Sequence, residues 1–331
     1  MTDVVALAAE LLAIPSTSNE EGPVVEFLHR RLIGRGWNVQ LQEVSPGRAN
    51  IWASRAGSGV TLSTHVDTVP PYIPPRLEGD RLYGRGSCDA KGIAAAMLAA
   101  ADALVDSGEE RVDLLFVVGE EKGSDGARMA NRLPATSRYL VNGEPTESKL
   151  ATGCKGSLRV KVRTHGRAAH SAYPELGRSA LTPMLALLPQ LDTLAWPVDP
   201  TLGPTTVNVG VMRAGAEANI IPDEAECEMM IRLVGAKEPV QALVEQWAAG
   251  AADLEYGSHI PPQFFHTIAG FPTAPVSYTS DIPLLGNWGT PLLFGPGSIH
   301  VAHTAEEHVS VAELRASVDA YVQIVRTLLA S

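Results

Sequence analysis

STHVDTVPPYIPPRLEGDRLYGRGSCDAKG, residues 63–92, is the stretch on which the reading of this chain turns. It starts where the strand pattern Val60–His65 ends, and places His65 and Asp67 two residues apart at that end. It closes on a second aspartate, Asp89, just ahead of an alanine-rich helical pattern running from about Lys91 to Val105. Between them, Leu77 to Leu82 predicts a small hairpin around Gly79-Asp80, and Gly84-Arg-Gly-Ser87 a tight turn into the helix. Downstream, the apolar run Val112–Val118 predicts a buried strand that delivers Gly119-Glu120-Glu121. A helix around Ser124–Leu133 and a short strand Tyr139–Asn142 then lead to Gly143-Glu144. Each of these acids or histidines falls at or just past the C-terminal end of a strand, where open α/β sheets keep their sites.

Upstream, residues 3–13 have helical spacing and stop at Pro15, and Ser18-Asn-Glu-Glu21 has the form of a capping box for a second helix to about Ile33. Strands at 37–44 and 50–54 complete an alternation that predicts an α/β layer with a mixed sheet. From Ser157 the pattern changes. Strands at 158–164, 205–212, 224–233 and 253–257 alternate with helices at 179–191 and 239–252, in the order βαββαβ of a ferredoxin-like unit. A Pro/Gly-rich stretch from Pro261 to Pro275 follows. The chain then returns to α/β character with Thr279-Ser-Asp281, a strand near Leu292, the loop Gly295-Pro-Gly297 and a closing helix at 311–329. The expected organisation is a catalytic domain of residues 1–157 and 263–331, interrupted by an inserted α+β lid domain of residues 158–262.

At 331 residues the chain is long enough for two cores. A net charge of −11 without a basic cluster argues against a nucleic-acid partner. The N-terminus has an acidic residue at position 3 and helical periodicity instead of a signal peptide's basic start. No apolar run is long enough to predict a membrane span. Three widely spaced cysteines, Cys88, Cys154 and Cys227, predict neither a disulfide framework nor a zinc knuckle. A cytoplasmic location is the expectation.

A histidine and three carboxylates on separate strand ends, with a late histidine on a Gly-rich loop, are the donors that a pair of divalent ions requires. One carboxylate must bridge them. Asp89 is assigned that role, with His65 and Glu144 completing one site and Glu121 and His303 the other. Asp67 is expected to bond the far ring nitrogen of His65 and fix its tautomer. Glu120, pointing away from Glu121 on the same strand end, is the expected general base, taking a proton from the attacking water and returning it to the leaving amine. Taken singly, His-x-Asp is more often a strand-end polar pair, and Glu120-Glu121 could simply begin a helix. The ordered set of five signals favours the metal reading. In the inserted unit His170 and Asn219 can donate to a developing oxyanion and Arg232 can grip a carboxylate, although each alone has an ordinary surface explanation. His300 is the nearest rival to His303. Cys88, with no histidine–acid pair to activate it, reads as a packed small side chain.

The stretches Ser63-Thr-His-Val-Asp67, Gly84-Arg-Gly-Ser-Cys-Asp89, Gly119-Glu-Glu-Lys-Gly123, Gly143-Glu-Pro-Thr146, Asn219-Ile-Ile-Pro222 and Ala302-His-Thr-Ala-Glu-Glu307 resemble the aminoacylase and carboxypeptidase superfamily of dinuclear zinc hydrolases. Within it, they are similar to the acetylornithine deacetylase and succinyl-diaminopimelate desuccinylase branch and to acetyl-lysine deacetylases. The resemblance implies two Zn2+ ions per subunit, with Co2+ able to substitute, on His65, Asp89, Glu121, Glu144 and His303, with Glu120 and Asp67 catalytic. It implies a lid that dimerises, and a His170 that reaches a neighbouring subunit's site. Asn219 and Arg232 match substrate-holding residues, and a cis peptide is implied at Asp89-Ala90. Desuccinylases tend to carry arginines where this chain has Cys154-Lys155-Gly156, so Lys155 stands in a substrate-binding position without an arginine fork. The implied substrate is an N-acyl amino acid, first N-acetylornithine or N-acetyllysine, free or on an amino-group carrier protein. A desuccinylase, a dipeptidase or carboxypeptidase, and a non-catalytic binding protein are the alternatives.

Overall fold

The computed structural model describes residues 2–57 and 59–331. The chain forms two compact units, one of Met1–Thr152, Phe265–Ala274 and Ser280–Ser331, the other of Gly153–Phe264 and Pro275–Thr279.

The first unit is built on a six-stranded sheet in the order Asn38–Ser45, Arg48–Ser54, Val112–Val117, Val60–His65, Tyr139–Asn142, Thr290–Leu293. The last four strands run parallel; the first two form an antiparallel hairpin that joins them at Arg48–Ser54, which makes the sheet mixed. Strands covered on both faces must be apolar throughout, and Val60–His65 and Val112–Val117 are buried at every position. Alternation divides them between two cores. Leu114 and Phe116 enter the larger one, while Leu115 and Val117 pack with Ala127, Ala130, Leu140 and Trp288 on the other face. The helix Lys91–Asp106 packs against Val4–Leu12 and Val311–Ala330. Its alanines give high helix propensity and let the backbones approach closely. Because these four strands are parallel, their C-terminal ends share one edge, and His65, Gly119, Gly143 and Phe294 all lie there.

The second unit has a four-stranded antiparallel sheet in the order Thr206–Ala214, Glu224–Leu233, Gly156–His165, Asp253–Ile260. With helices Leu181–Leu187 and Lys237–Ala248 on one face, this is the ferredoxin-like arrangement that the βαββαβ order predicts. Glu224–Leu233 alternates strictly between buried and partly exposed positions, as a sheet with one covered face requires.

Several elements differ from the sequence-based expectation. The helix expected at 179–191 stops at Leu187 and continues as a 3-10 turn, Leu188–Thr193, because Pro189 has no N–H to donate to the helix. The helix expected at 124–133 spans only Asp125–Ala130, after Ser124 at φ 53°. Glu120 and Glu121 do not continue a strand but begin a 3-10 turn, Glu120–Lys122, between Gly119 and Gly123, both in the left-handed region. The expected capping box does not form either. The second helix starts at Gly22, and the Glu21 side chain makes no cap bond.

Glu21 is instead an ion-pair partner. It is fully buried, and Arg48 reaches it through Nε at 2.8 Å and Nη2 at 2.9 Å. The same guanidinium donates to Asp125 at 2.6 and 3.1 Å, just behind the Glu120–Lys122 turn. Only glycine fits at position 119, φ 75°, because a Cβ there would meet Asp125 Oδ1 at 2.1 Å and Arg48 Nη2 at 2.6 Å. Arg48→Met leaves Glu21 buried and uncompensated and is expected to cost about 3–5 kcal/mol in urea unfolding. Adding Glu21→Leu should recover most of that loss, whereas a single-variant loss below about 1 kcal/mol would remove the pair from the stability of this edge.

Candidate metal centre

The site is assembled at the shared edge of the parallel strands. His65 is the last residue of its strand, Glu144 lies two residues past Asn142, and Asp89 comes from the loop entering Lys91–Asp106. Two donor sets form there. His65, Asp89 and Glu144 offer atoms within 4.8 Å of one another, and so do Asp89, Glu121 and His303. Asp89 belongs to both: its Oδ1 is 3.1 Å from His65 Nε2 and its Oδ2 3.3 Å from His303 Nε2. His303 Nε2 is also 2.8 Å from Glu121 Oε1. His303 holds a left-handed backbone, φ 62°, which is uncommon for a residue with a Cβ. His300, by contrast, is exposed and belongs to neither donor set.

Asp67 is completely buried and has more partners than the sequence suggested. His65 Nδ1 lies 3.0 Å from its backbone carbonyl and 3.4 Å from its Oδ1. A proton on Nδ1 leaves the Nε2 lone pair directed at Asp89. The Asp67 carboxylate also accepts the backbone N–H groups of Glu120 at 3.0 Å and Glu121 at 3.2 Å, and the Ser18 hydroxyl at 2.7 Å. One side chain therefore orients a histidine of the first set and fixes the turn that presents Glu120 and Glu121. The peptide bond Asp89-Ala90 is cis.

Crowding of acids dominates the electrostatics. Burial raises the Glu120 carboxyl well above the carboxylate range, opposed by His65 and reinforced by Asp281, Asp89 and Glu121. Burial raises Glu144 as well, and the charge of Glu120 adds to it. For His65, burial works against the charged ring, but Asp67, Asp89, Glu120 and Glu144 together hold it well above the ordinary histidine value. Asp89 and Glu121 raise His303 to about 10. Burial also favours the neutral form of Asp89, yet the two histidines hold its carboxyl far down. Such opposed shifts within one cluster mark a functional site.

Two further acids at this edge received no role in the sequence reading. Asp281 is buried, and burial pushes its carboxyl up to about 6. Glu307, four residues beyond His303, is buried beside Asp89's loop. Both lie in stretches that carry the family resemblance, Thr279-Ser-Asp281 and Ala302-His-Thr-Ala-Glu-Glu307, but the residues alone do not distinguish a buried acid there from a solvated one.

The other expected residues lie in the second unit. His170 and Asn219 lie on two loops that touch: His170 bridges Ile220, and Ser171 N–H donates to Asn219 O at 2.9 Å. Lys155 precedes the strand Gly156–His165, and Arg232 pairs with Ser157. Lys155 Nζ donates to Pro204 O at 2.5 Å. Burial lowers the pKa of both cations, and the charge of Arg232 lowers Lys155 further. The strands Gly156–His165 and Glu224–Leu233 run antiparallel in register from Ser157 and Arg232 to His165 and Glu224. The two pairs therefore sit at opposite ends, about 25 Å apart along the strands. Asn219 and Arg232 are not brought together.

A mixed α/β sheet presenting two His–carboxylate sets around a shared aspartate, on one unit of a two-unit chain, defines a metal-dependent hydrolase acting on amides. The chain belongs to peptidase family M20/M25/M40, whose profile matches residues 61–327. It is 37% identical to a peptidase M20 domain-containing protein of Schizosaccharomyces pombe, over 98% of this chain and 84% of that one. It is 35% identical to a protein of Aspergillus oryzae named as a probable carboxypeptidase, over 97% and 86%. Its fold is that of a tripeptidase from Staphylococcus aureus, with a TM-score of 0.83, 19% identity, and 99% and 98% of the two chains covered. This family agrees with the metallo-carboxypeptidase superfamily that the motifs resemble.

The surrounding acids hold His65 well above the ordinary histidine value and His303 at about 10, so ions taken up by these sets compete with protons for the ring nitrogens. Titration calorimetry in buffers of differing ionisation enthalpy should show release of about one proton per histidine engaged, with apparent affinity rising as pH increases from 6 to 9. Heats independent of the buffer would refute this. His303→Ala should lose one of the two ions while His300→Ala keeps both, as counted by elemental analysis; the reverse result would exchange the ligands.

Proposed function

We propose that this protein is a two-zinc carboxypeptidase-type hydrolase. Its substrate is an amide joining an acyl or aminoacyl group to an amino acid with a free carboxylate. The observation that carries this reading is Asp89, with one oxygen facing the His65–Glu144 set and the other the Glu121–His303 set. Imidazole nitrogens with carboxylate oxygens suit zinc, and the same donors suit cobalt. In this assignment Asp89 is shared, His65 and Glu144 complete one site, and Glu121 and His303 complete the other. Bound there, the ions supply Lewis-acid polarisation of the amide carbonyl and acidify the attacking water.

The chain's own groups perform the proton work. Glu120 lies outside both donor sets, on the same turn as Glu121. Its raised pKa suits a carboxyl that takes a proton from water and passes it to the leaving amine. Asp67 positions His65 and the Glu120–Glu121 backbone together. In the second unit, Lys155 and Arg232 are adjacent cations that, among the described residues, form no ion pair. A substrate carboxylate is the partner that this arrangement suits, with Arg232 providing the planar fork.

Deacetylation of N-acetylornithine or N-acetyllysine is the narrower reading, supported by Gly153-Cys-Lys-Gly156 and Thr279-Ser-Asp281. The peptidase names of the relatives favour the broader one. Dimerisation through the second unit is supported by the outward Val209, Val211 and Met212 of its edge strand Thr206–Ala214, and a reducing cytoplasm by three buried cysteines that form no disulfide.

The deciding measurement is hydrolysis by the zinc-loaded protein of a panel: unblocked dipeptides, N-acylated neutral amino acids, N-acetylornithine, N-acetyllysine, and each with its carboxylate amidated. The proposal expects turnover that falls at least about tenfold on amidation, the scale of one lost charged contact. Equal rates on the amidated compounds would refute carboxylate recognition, and preference for the acetylated basic amino acids would select the narrower reading. Glu120→Gln should retain zinc and lose about 10²–10⁴-fold in kcat; near wild-type turnover would remove it as the base.

A further inference from the structure

Glu307 takes part in neither donor set, yet it is among the most buried acids of the chain, with 1% of its surface exposed. Its Oε1 accepts the backbone N–H of Gly86 at 2.9 Å, of Asp89 at 3.3 Å and of Cys88 at 3.4 Å. Its Oε2 pairs with Arg85 Nη1 at 2.6 Å, and Arg85 is itself 2% exposed. Its carbonyl accepts the N–H of Gly84 at 3.1 Å. Neighbouring backbone N–H groups that converge in this way form a concavity for an anion, and here the chain fills it with its own carboxylate.

The geometry has two consequences. Three N–H bonds and one ion pair leave the loop from Gly84 to Asp89 little freedom to rotate, so the direction of the Asp89 carboxylate is set from behind. Asp89 must face both sets with separate oxygens, and rotation of its backbone would lose one of them. Glu307 also follows His303 by four residues in one loop, so the same bonds tie the segment that supplies the shared carboxylate to the segment that supplies His303. Arg85 offsets the charge of Glu307, so that the tie adds little to a cluster already crowded with acids.

We propose that Glu307 is a positioning residue of the metal centre, holding Asp89 and His303 in register through the backbone amides of residues 86–89. This rests on the two-metal reading above. Residues behind metal ligands that orient them typically contribute 10–100-fold to metal affinity.

The test uses the full-length protein, stripped of metal and then titrated with zinc against a chelating dye, alongside the melting temperature of each stripped protein. Glu307→Gln keeps one oxygen for the three N–H groups but turns an amide NH2 toward Arg85. It is expected to bind zinc about 10-fold more weakly, with a stripped melting temperature lowered because the buried Arg85 loses its anionic partner. Glu307→Ala is expected to lose up to about 100-fold and to hold less than its full complement of zinc at limiting metal. Glu306→Gln, at an exposed position, should match the wild type in both measurements. The proposal is overturned if Glu307→Gln binds zinc within twofold of the wild type, whatever Glu307→Ala does to folding, since a purely structural tie predicts that result. A wild-type protein that binds no zinc would overturn the two-metal reading and this inference together.

Discussion

Too many carboxylates share one buried edge for the two histidines there to neutralise them. Asp89, Glu120, Glu121, Glu144, Asp281 and Asp67 all act on one another or on His65, and most are out of reach of solvent. Charges so placed cost several kcal/mol each unless paired or protonated. Without metal, the conflict shows as carboxyls of Glu120 and Glu144 pushed up by burial and by the charge of neighbouring acids, and as imidazoles of His65 and His303 pushed up by the acids around them. Divalent cations remove the conflict directly. The edge is therefore strained toward the ligand it is proposed to hold, and the rest of the first unit must keep that strain from spreading the loops apart.

It does so with backbone amides. Asp67 takes the N–H groups of Glu120 and Glu121, and Glu307 takes those of Gly86, Cys88 and Asp89. In each case a buried acid outside the donor sets grips the turn that carries acids inside them. A charge-assisted bond to an N–H is stronger than a neutral one and directs the neighbouring side chain without adding another group to the site. Behind the Glu120–Lys122 turn stands the Arg48 pair with Glu21 and Asp125, a further buried tie, made with a guanidinium.

His65, Glu121 and Glu144 were legible in the sequence because each follows an apolar run that reads as a buried strand, and parallel strands bring their ends to one edge; Asp89 and His303, on loops, were legible through the motifs around them. The ties behind them were much less so. Glu307 and Asp281 differ from solvated acids only in burial, which depends on contacts more than a hundred residues distant in the chain. The turn at Glu120 is set by the positive φ of Gly119 and Gly123, glycines that sequence alone reads equally well as the end of a strand. Ser18 to Glu21 has the form of a capping box, but a buried arginine offers Glu21 more than a helix N-terminus can. Local preference yielded to tertiary pairing there; at Pro189 the reverse held, a local backbone without an N–H ending a helix that periodicity would have continued.

The second unit constrains how a substrate can be handled. Lys155 and Arg232 lie at one end of the antiparallel pair Gly156–His165 and Glu224–Leu233, and His170 and Asn219 lie beyond the other. A dipeptide or an N-acyl amino acid is far shorter than the separation of about 25 Å that the strand rise implies. One copy of this sheet cannot place all four residues on one small substrate. If Arg232 grips the carboxylate, an oxyanion contact from His170 must come from a second chain, and the two roles separate genetically. Loss of Arg232 would be complemented only by a chain supplying the same end of the sheet, and loss of His170 by a partner intact at the other. A mixed dimer of one Arg232-deficient and one His170-deficient chain would then retain one complete site, whereas a working monomer would need no role for His170 at all.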